Sequence, residues 1–233
     1  MQDLRLFDVA RSSVMAPQIL EAYERWAPLY PPVAHNPLMR AEQRAMAALW
    51  PDVAGRRALD LACGTGRYSR LLTQSNAREV TAVDFCLPML VQVSTARRIC
   101  ASMMRLPLVG DAFDVVISGL ALGHATAIEP WMTEIARVLD RGGVLLYSDF
   151  HPEAARAGLP RSFKDQTGRT FTVPHRCYEL KSQLSAAAAA GLTIEAVHEV
   201  RVGFELQEPF SQSDEFYRRW HGLPIVLIVR ARK

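Results

Sequence analysis

The run Ala58-Leu59-Asp60-Leu61-Ala62-Cys63-Gly64-Thr65-Gly66 reads as an apolar strand that enters a glycine turn and leaves it as a helix. A second apolar run, Glu79 to Val83, ends in Asp84, 84 − 66 = 18 residues past the last glycine. A parallel α/β sheet places features in this order. Glycines let the backbone approach a ligand, and an acidic side chain at the next strand tip takes ribose hydroxyls. Together the two predict a nucleotide-type cofactor.

Short apolar runs alternate with helical patterns from Arg57 to Val144, as in a parallel sheet covered on both faces. Strand one is expected over Arg57 to Ala62 with its helix at Arg67 to Ser75. Strand two is Glu79 to Asp84, followed by a helix from Pro88 to Ala96. A short third strand falls at Ile99 to Ser102 and an apolar fourth at Phe113 to Leu120. A helix from Glu129 to Leu139 carries Pro130 in its first turn, and Gly142-Gly143 releases the chain into strand five, Val144 to Asp149. Upstream, Ala16 to Tyr30 patterns as an amphipathic helix. Pro28, Pro31, Pro32 and Pro37 then break the chain, and a helix from Leu38 to Trp50 closes at Pro51. Downstream, Phe163 to Val173 alternates around Thr167-Gly168 like a small hairpin, and Tyr178 to Ala190 is a helix capped by Gly191. Thr193 to Val202 and Pro224 to Arg232 complete the sheet as an antiparallel pair. The expected fold is α/β: a Rossmann-like, doubly wound, seven-stranded sheet with an antiparallel C-terminal hairpin. Residues 1–50 form an N-terminal helical lid, and 51–233 the main domain with a small cap inserted at about 151–180.

Composition narrows the setting. No stretch reaches the roughly 18 uninterrupted apolar residues of a membrane span. Met1 to Ala10 carries Asp3, Arg5 and Asp8 with no apolar signal region, so a cytoplasmic protein is expected. Cys63, Cys86, Cys100 and Cys177 lack CxxC spacing, which points to reduced thiols and away from zinc; no metal is expected. The net charge of +3 comes as scattered pairs (Arg56 and Arg57, Arg97 and Arg98, Arg218 and Arg219), whereas a nucleic-acid binder concentrates such charge on one face. The chain is read as a monomer or homodimer, with Trp220 and Ile225 to Val229 as a candidate dimer surface.

On these motifs the chain resembles the class I S-adenosylmethionine-dependent methyltransferases, in the small-molecule branch that includes quinone and malonyl-carrier methyltransferases. The resemblance covers about Tyr23 to Phe150. It rests on LDLACGTG (59–66), VDFCLPML (83–90), RLPL with DAFDVVIS (105–118) and RVLDRGGVLLYSDF (137–150), in order. The third glycine of a dinucleotide loop is replaced by Ser69, which suits a ligand without a pyrophosphate. The resemblance implies S-adenosylmethionine as cofactor. Ala62, Gly64 and Gly66 would pass beside its methionine tail, Asp60 would orient the ammonium, and Asp84 would take the ribose hydroxyls. Phe85, Ser102 and Met103 would frame the adenine, Ser102 standing where relatives carry an aspartate. Ser118 at the tip of strand four and Tyr30 at the break after the first helix complete the set.

Methyl transfer needs an in-line nucleophile held about 3 Å from the methyl group and, often, a base to deprotonate it. His124 after strand four and His151 after strand five are the candidate catalytic residues, each a base or a substrate clamp; His124 alternatively packs the cofactor tail or caps the next helix. Tyr23, Arg161, Phe163, His175, Arg176 and Tyr178 mix cationic and aromatic groups fit for a planar or anionic substrate. Trp131 is a weaker candidate beside the mouth. The Tyr23, Trp26, Tyr30 stripe fits core packing as well as a lid. The implied activity is methylation of a hydroxyl or activated carbon on a small molecule. The alternatives are a carrier-bound carboxyl methyltransferase and a cofactor-binding regulatory protein without catalysis.

Overall fold

Strand β1 (Arg57–Leu61) lies at the centre of the sheet, pairing in parallel with β2 (Glu79–Asp84) on one side and β4 (Phe113–Gly119) on the other. A computed structural model describes residues 17–95, 97–203 and 218–233. The expectations for Met1 to Ala10, for the first sixteen positions of the lid and for Ala96 lie outside the described residues. With β3 (Arg97–Cys100), β5 (Leu139–Phe150), β8 (Thr193–Arg201) and β9 (Pro224–Arg232), the order is β3-β2-β1-β4-β5-β9-β8. Only β9 runs antiparallel to its neighbours β5 and β8. This is the predicted seven-stranded, doubly wound sheet with its terminal antiparallel hairpin. From β1 the chain winds first outward to β2 and β3, then returns to β4 and β5. The crevice beyond the carboxyl ends of β1 and β4 is the switch point where such sheets bind ligands.

Both faces are covered. Helices α5 (Ile128–Val138) and α7 (Leu180–Ala189) press Trp131, Ile135 and Ala187 onto Leu59, Leu145 and Tyr147. On the other face, α2 (Pro37–Ala48) and α3 (Arg67–Gln74) bring Met46, Tyr68 and Leu72 against Ala58, Val115 and Leu146. Truncating one such buried leucine to alanine removes about 2–5 kcal/mol. Asn36 starts α2 by accepting the Met39 N–H at 2.9 Å, with Pro37 at the first helical position.

Helix α1 (Pro17–Trp26) packs against a small hairpin of β6 (Ser162–Lys164) and β7 (Thr170–Thr172) inserted after β5. Trp26 stacks on Phe163 at 4.6 Å with 8° between the planes, and Phe163 in turn stacks on Phe171, its cross-strand partner.

Three expectations are corrected. The helix after strand two shrinks to one turn, α4 (Leu87–Leu90). The next residues include the β-branched Val91, Val93 and Thr95, and Gln92 turns its amide to the Ala27 and Pro88 carbonyls. Strand β5 begins at Leu139, ahead of Gly142-Gly143, and a register shift between Phe113 and Val115 on β4 absorbs the extra residues. The proposed dimer surface is interior: β9 lies between β5 and β8, and Ile225 to Val229 and Trp220 are buried within the chain's own core.

Candidate active site

The glycine turn follows β1 with positive φ at Ala62 (56°), Gly64 (55°) and Gly66 (87°). A Cβ on Gly64 would meet nothing within 4 Å, so its backbone faces open pocket. A Cβ on Gly66 would stand 2.9 Å from Val93 Cγ1. The first glycine exposes backbone to a ligand; the second lets the loop pack on the turn after α4.

Asp84, at the tip of β2, is half-buried and accepts one backbone donor on each oxygen: Gly64 N–H on Oδ2 (2.7 Å) and Cys86 N–H on Oδ1 (2.8 Å). Burial raises its pKa in spite of these donors. Each oxygen keeps acceptor capacity for a further donor. Asp60 Oδ2 accepts from the Ser69 N–H and Oγ–H, both at 2.6 Å, and burial lifts its pKa to about 6.

The pocket at this switch point holds about 830 Å³ of space, its open side included. Of the predicted cofactor residues, Tyr30, Asp60, Ala62, Gly64, Asp84, Phe85 and Met103 line it. Gly66, Ser102 and Ser118 do not: Gly66 packs on Val93, Ser102 Oγ accepts the Met104 N–H at 3.2 Å, and the buried Ser118 Oγ has no partner.

The opposite wall is a polar chain. Arg161 Nη2 donates to the Tyr23 hydroxyl at 3.0 Å and to the Leu120 carbonyl at 2.7 Å. The Tyr23 hydroxyl also lies 2.8 Å from His124 Nε2, the donor of the pair being set by the imidazole tautomer. His124 Nδ1 lies toward the Pro174 carbonyl without reaching hydrogen-bond geometry. Burial, with Arg161 and His175 nearby, pushes the imidazole well below its usual range and keeps it neutral. Burial pushes the Tyr23 phenol far above 10. Arg161 is buried, Nη1 has no partner, and among the described residues it forms no ion pair. Its guanidinium lies 5.0 Å over the Phe150 ring. The carboxylate within its electrostatic reach, Asp149, is buried with a pKa raised to about 7.

The structure brings together Tyr23, Arg161 and His124 from the predicted substrate and catalytic sets. His151 it places elsewhere: the ring caps α6 (Pro152–Arg156) by accepting the Glu153 N–H at 3.2 Å, and Nε2 faces Glu199 at 3.3 Å. Phe163 is stacked into the cap, and His175 lies against Phe150. Arg176 is exposed and uses its main-chain N–H on the Gly123 carbonyl (2.7 Å), while the Tyr178 hydroxyl donates to the Ala125 carbonyl (2.9 Å). Trp131 is fully buried against Tyr147. These residues hold the cap and the His124 turn in place but do not line the pocket.

Arg67, Tyr68 and Gly119 line the pocket and were missed, as was the buried Glu42 behind them. One signal was available: Arg67-Tyr68 directly follows the second glycine of the turn.

A family model described as a methyltransferase domain matches residues 59–147. The chain is 33% identical over 147 residues to the malonyl-[acyl-carrier protein] O-methyltransferase of Enterobacter lignolyticus, covering 60% of this chain and 57% of that one. It is 35% identical over 147 residues to the demethylmenaquinone methyltransferase of Clavibacter sepedonicus, covering 59% and 57%. The chain thus spans little more than half the length of these relatives. A solved S-adenosylmethionine-dependent methyltransferase from Mesorhizobium loti superposes with a TM-score of 0.68 at 24% identity, over 83% of this chain and 98% of that one, a likeness of fold. The pocket suits the cofactor: an open cradle at Gly64, two aspartates with acceptor capacity left, and an arginine beside the turn. Residues 59–147 match a methyltransferase domain, and they lie in a sheet with the fold of S-adenosylmethionine-dependent methyltransferases.

Proposed function

We propose that the chain methylates a small molecule on an oxygen that reaches the site already ionised, a carboxylate foremost. When bound, S-adenosylmethionine supplies an electrophilic methyl group on a sulfonium. Asp84 would hold the ribose, Asp60 the ammonium, and Phe85 and Met103 the adenine. The segment up to residue 50 acts as a lid, a role supported by Tyr23 and Tyr30 on the pocket wall.

The observation that carries this reading is the Arg161–Tyr23–His124 chain. A buried guanidinium without an ion-pair partner among the described residues favours an anionic ligand. Neither Tyr23 nor His124 is a competent base at neutral pH, because His124 is held neutral and weakly basic and the Tyr23 phenol stays protonated. An acceptor that needs deprotonation is poorly served by these two groups. A carboxylate needs none, and Arg161 can clamp one oxygen while the other attacks. His124 then positions Tyr23 and removes no proton; His151, on this reading, is a helix cap. The named activity of the malonyl-carrier relative, an O-methyltransferase, agrees with this class of acceptor.

A stabilised carbanion or enolate is the second reading, since it too arrives anionic, and the quinone relative's name accords with it. The two are separated by transferring a labelled methyl group to a panel of carboxylic acids and phenolic or quinol acceptors, then treating the product with base. Base-labile label released as methanol marks an ester. Base-stable label on carbon would overturn the carboxylate reading.

A further inference from the structure

Arg67 opens α3 directly after the glycine turn and is buried. Its Nη1 donates to Glu42 Oε2 at 2.7 Å, with longer approaches to the Tyr68 hydroxyl (3.2 Å) and Gln43 Oε1 (3.4 Å). Among the described residues, Nε and Nη2 have no partner. Nη2 lies 3.3 Å from where a Cβ on Gly119 would stand, so the uncommitted side of the fork reaches the tip of β4.

Glu42 fixes that orientation. It is fully buried: Oε2 takes Arg67, and Oε1 accepts from the Tyr68 hydroxyl (2.7 Å) and Ser148 Oγ (2.5 Å). Ser148 Oγ in turn accepts the Leu120 N–H at 3.0 Å, and the Tyr68 ring lies 4.3 Å beneath the guanidinium. The network ties α2, α3 and β5 around one arginine. Gly119 completes it, because a Cβ there would fall 2.3 Å from Tyr68 Cε2.

We propose that Arg67 binds the carboxylate of the cofactor's aminoacyl tail through its free edge, and that Glu42 is the positioning residue holding the other edge. A planar fork with two donors in line matches a carboxylate bidentately. Asp60 lines the same pocket within electrostatic reach of Arg67. One acidic and one basic side chain thus flank the glycine turn, the complement of an amino-acid zwitterion. The inference rests on S-adenosylmethionine being the cofactor.

The test is calorimetric titration with S-adenosylhomocysteine and with its decarboxylated analogue, S-5′-adenosyl-3-thiopropylamine, which differs only in lacking the carboxylate. The wild-type protein is expected to prefer the carboxylate ligand by about 10- to 100-fold. Arg67→Met is expected to bring the two ligands near parity while leaving the analogue's affinity unchanged, which also reports an intact pocket. Because Arg67→Met strands the buried Glu42, the double variant Glu42→Gln, Arg67→Gln repeats the comparison without a buried charge. A preference that survives in the double variant overturns the proposal. Wild-type protein that binds neither ligand overturns the cofactor assignment beneath it, so the two failures are distinguishable.

Discussion

The Tyr23 hydroxyl lies 2.8 Å from Nε2 of His124, although 101 residues separate them in the chain. The contact joins the first helix to the turn after β4, and the same hydroxyl accepts from Arg161. Tyr23→Phe keeps the ring and its edge contact with the imidazole but removes both hydrogen bonds. The expected outcome is a KM for the acceptor raised about tenfold, with the dissociation constant for S-adenosylhomocysteine unchanged. Steady-state kinetics paired with calorimetry checks it, and an equal loss on the cofactor side would count against a substrate role.

Arg161→Met addresses the anion directly. The side chain is buried and its Nη2 also supports the Leu120 carbonyl, so some stability is lost with it. The expected signature is a fall in kcat/KM for ionised acceptors of about 100-fold or more, with cofactor affinity changed less than threefold. Comparing a carboxylic acid with its neutral amide isolates the charge: the wild type discriminates strongly and the variant weakly.

The two glycines of the turn are expected to fail differently on substitution by alanine. At Gly64 there is space for a Cβ but φ is 55°, so the variant carries about 1 kcal/mol of backbone strain and crowds the ligand side. At Gly66 the strain is joined by a 2.9 Å clash with Val93. Thermal melts with and without S-adenosylhomocysteine are expected to show Gly64→Ala near wild-type stability with weakened ligand stabilisation. Gly66→Ala is expected to melt lower in both conditions.

What was legible in the sequence was what local chain order imposes. Asp60, the two glycines and Asp84 lie in one short strand-turn-helix-strand unit, and the register Leu61 to Val83 carries them to one end of the sheet. The terminal hairpin was legible because Thr193–Arg201 mixes apolar and polar positions as a half-covered strand does, and Pro224–Arg232 opens on a continuous apolar run. Side chains whose role depends on distant elements were not. His151 follows β5, yet it meets Glu199 on β8 and a helix N-terminus, and both turn its ring to structural use. Phe163 became core because Trp26, far away in sequence, stacks on it. Glu42 looked like an ordinary polar residue of an alanine-rich helix. Its burial makes sense only once Arg67, Tyr68 and Ser148 from two other elements surround it.

Asp149 gives the pH dependence. It is fully buried, its Oδ1 has no partner, and burial raises its pKa from 3.8 to about 7 against the opposing pull of Arg161 and the Phe150 and Gly123 backbone donors. A carboxyl whose folded pKa exceeds its unfolded value binds more protons folded than unfolded between the two. Its contribution to stability is therefore fully present below about pH 4, declines as pH rises, and levels off above about pH 7. Asp149→Asn removes the titration while keeping the shape. The melting temperature of the variant relative to wild type is expected to rise steadily from pH 5 to pH 7 and then flatten, because only the wild type must bury a charge at the higher pH. A difference independent of pH would mean that Asp149 stays ionised throughout, paired closely with Arg161. In that case the guanidinium would already have its counter-ion, and the case for an anionic acceptor would fall with it.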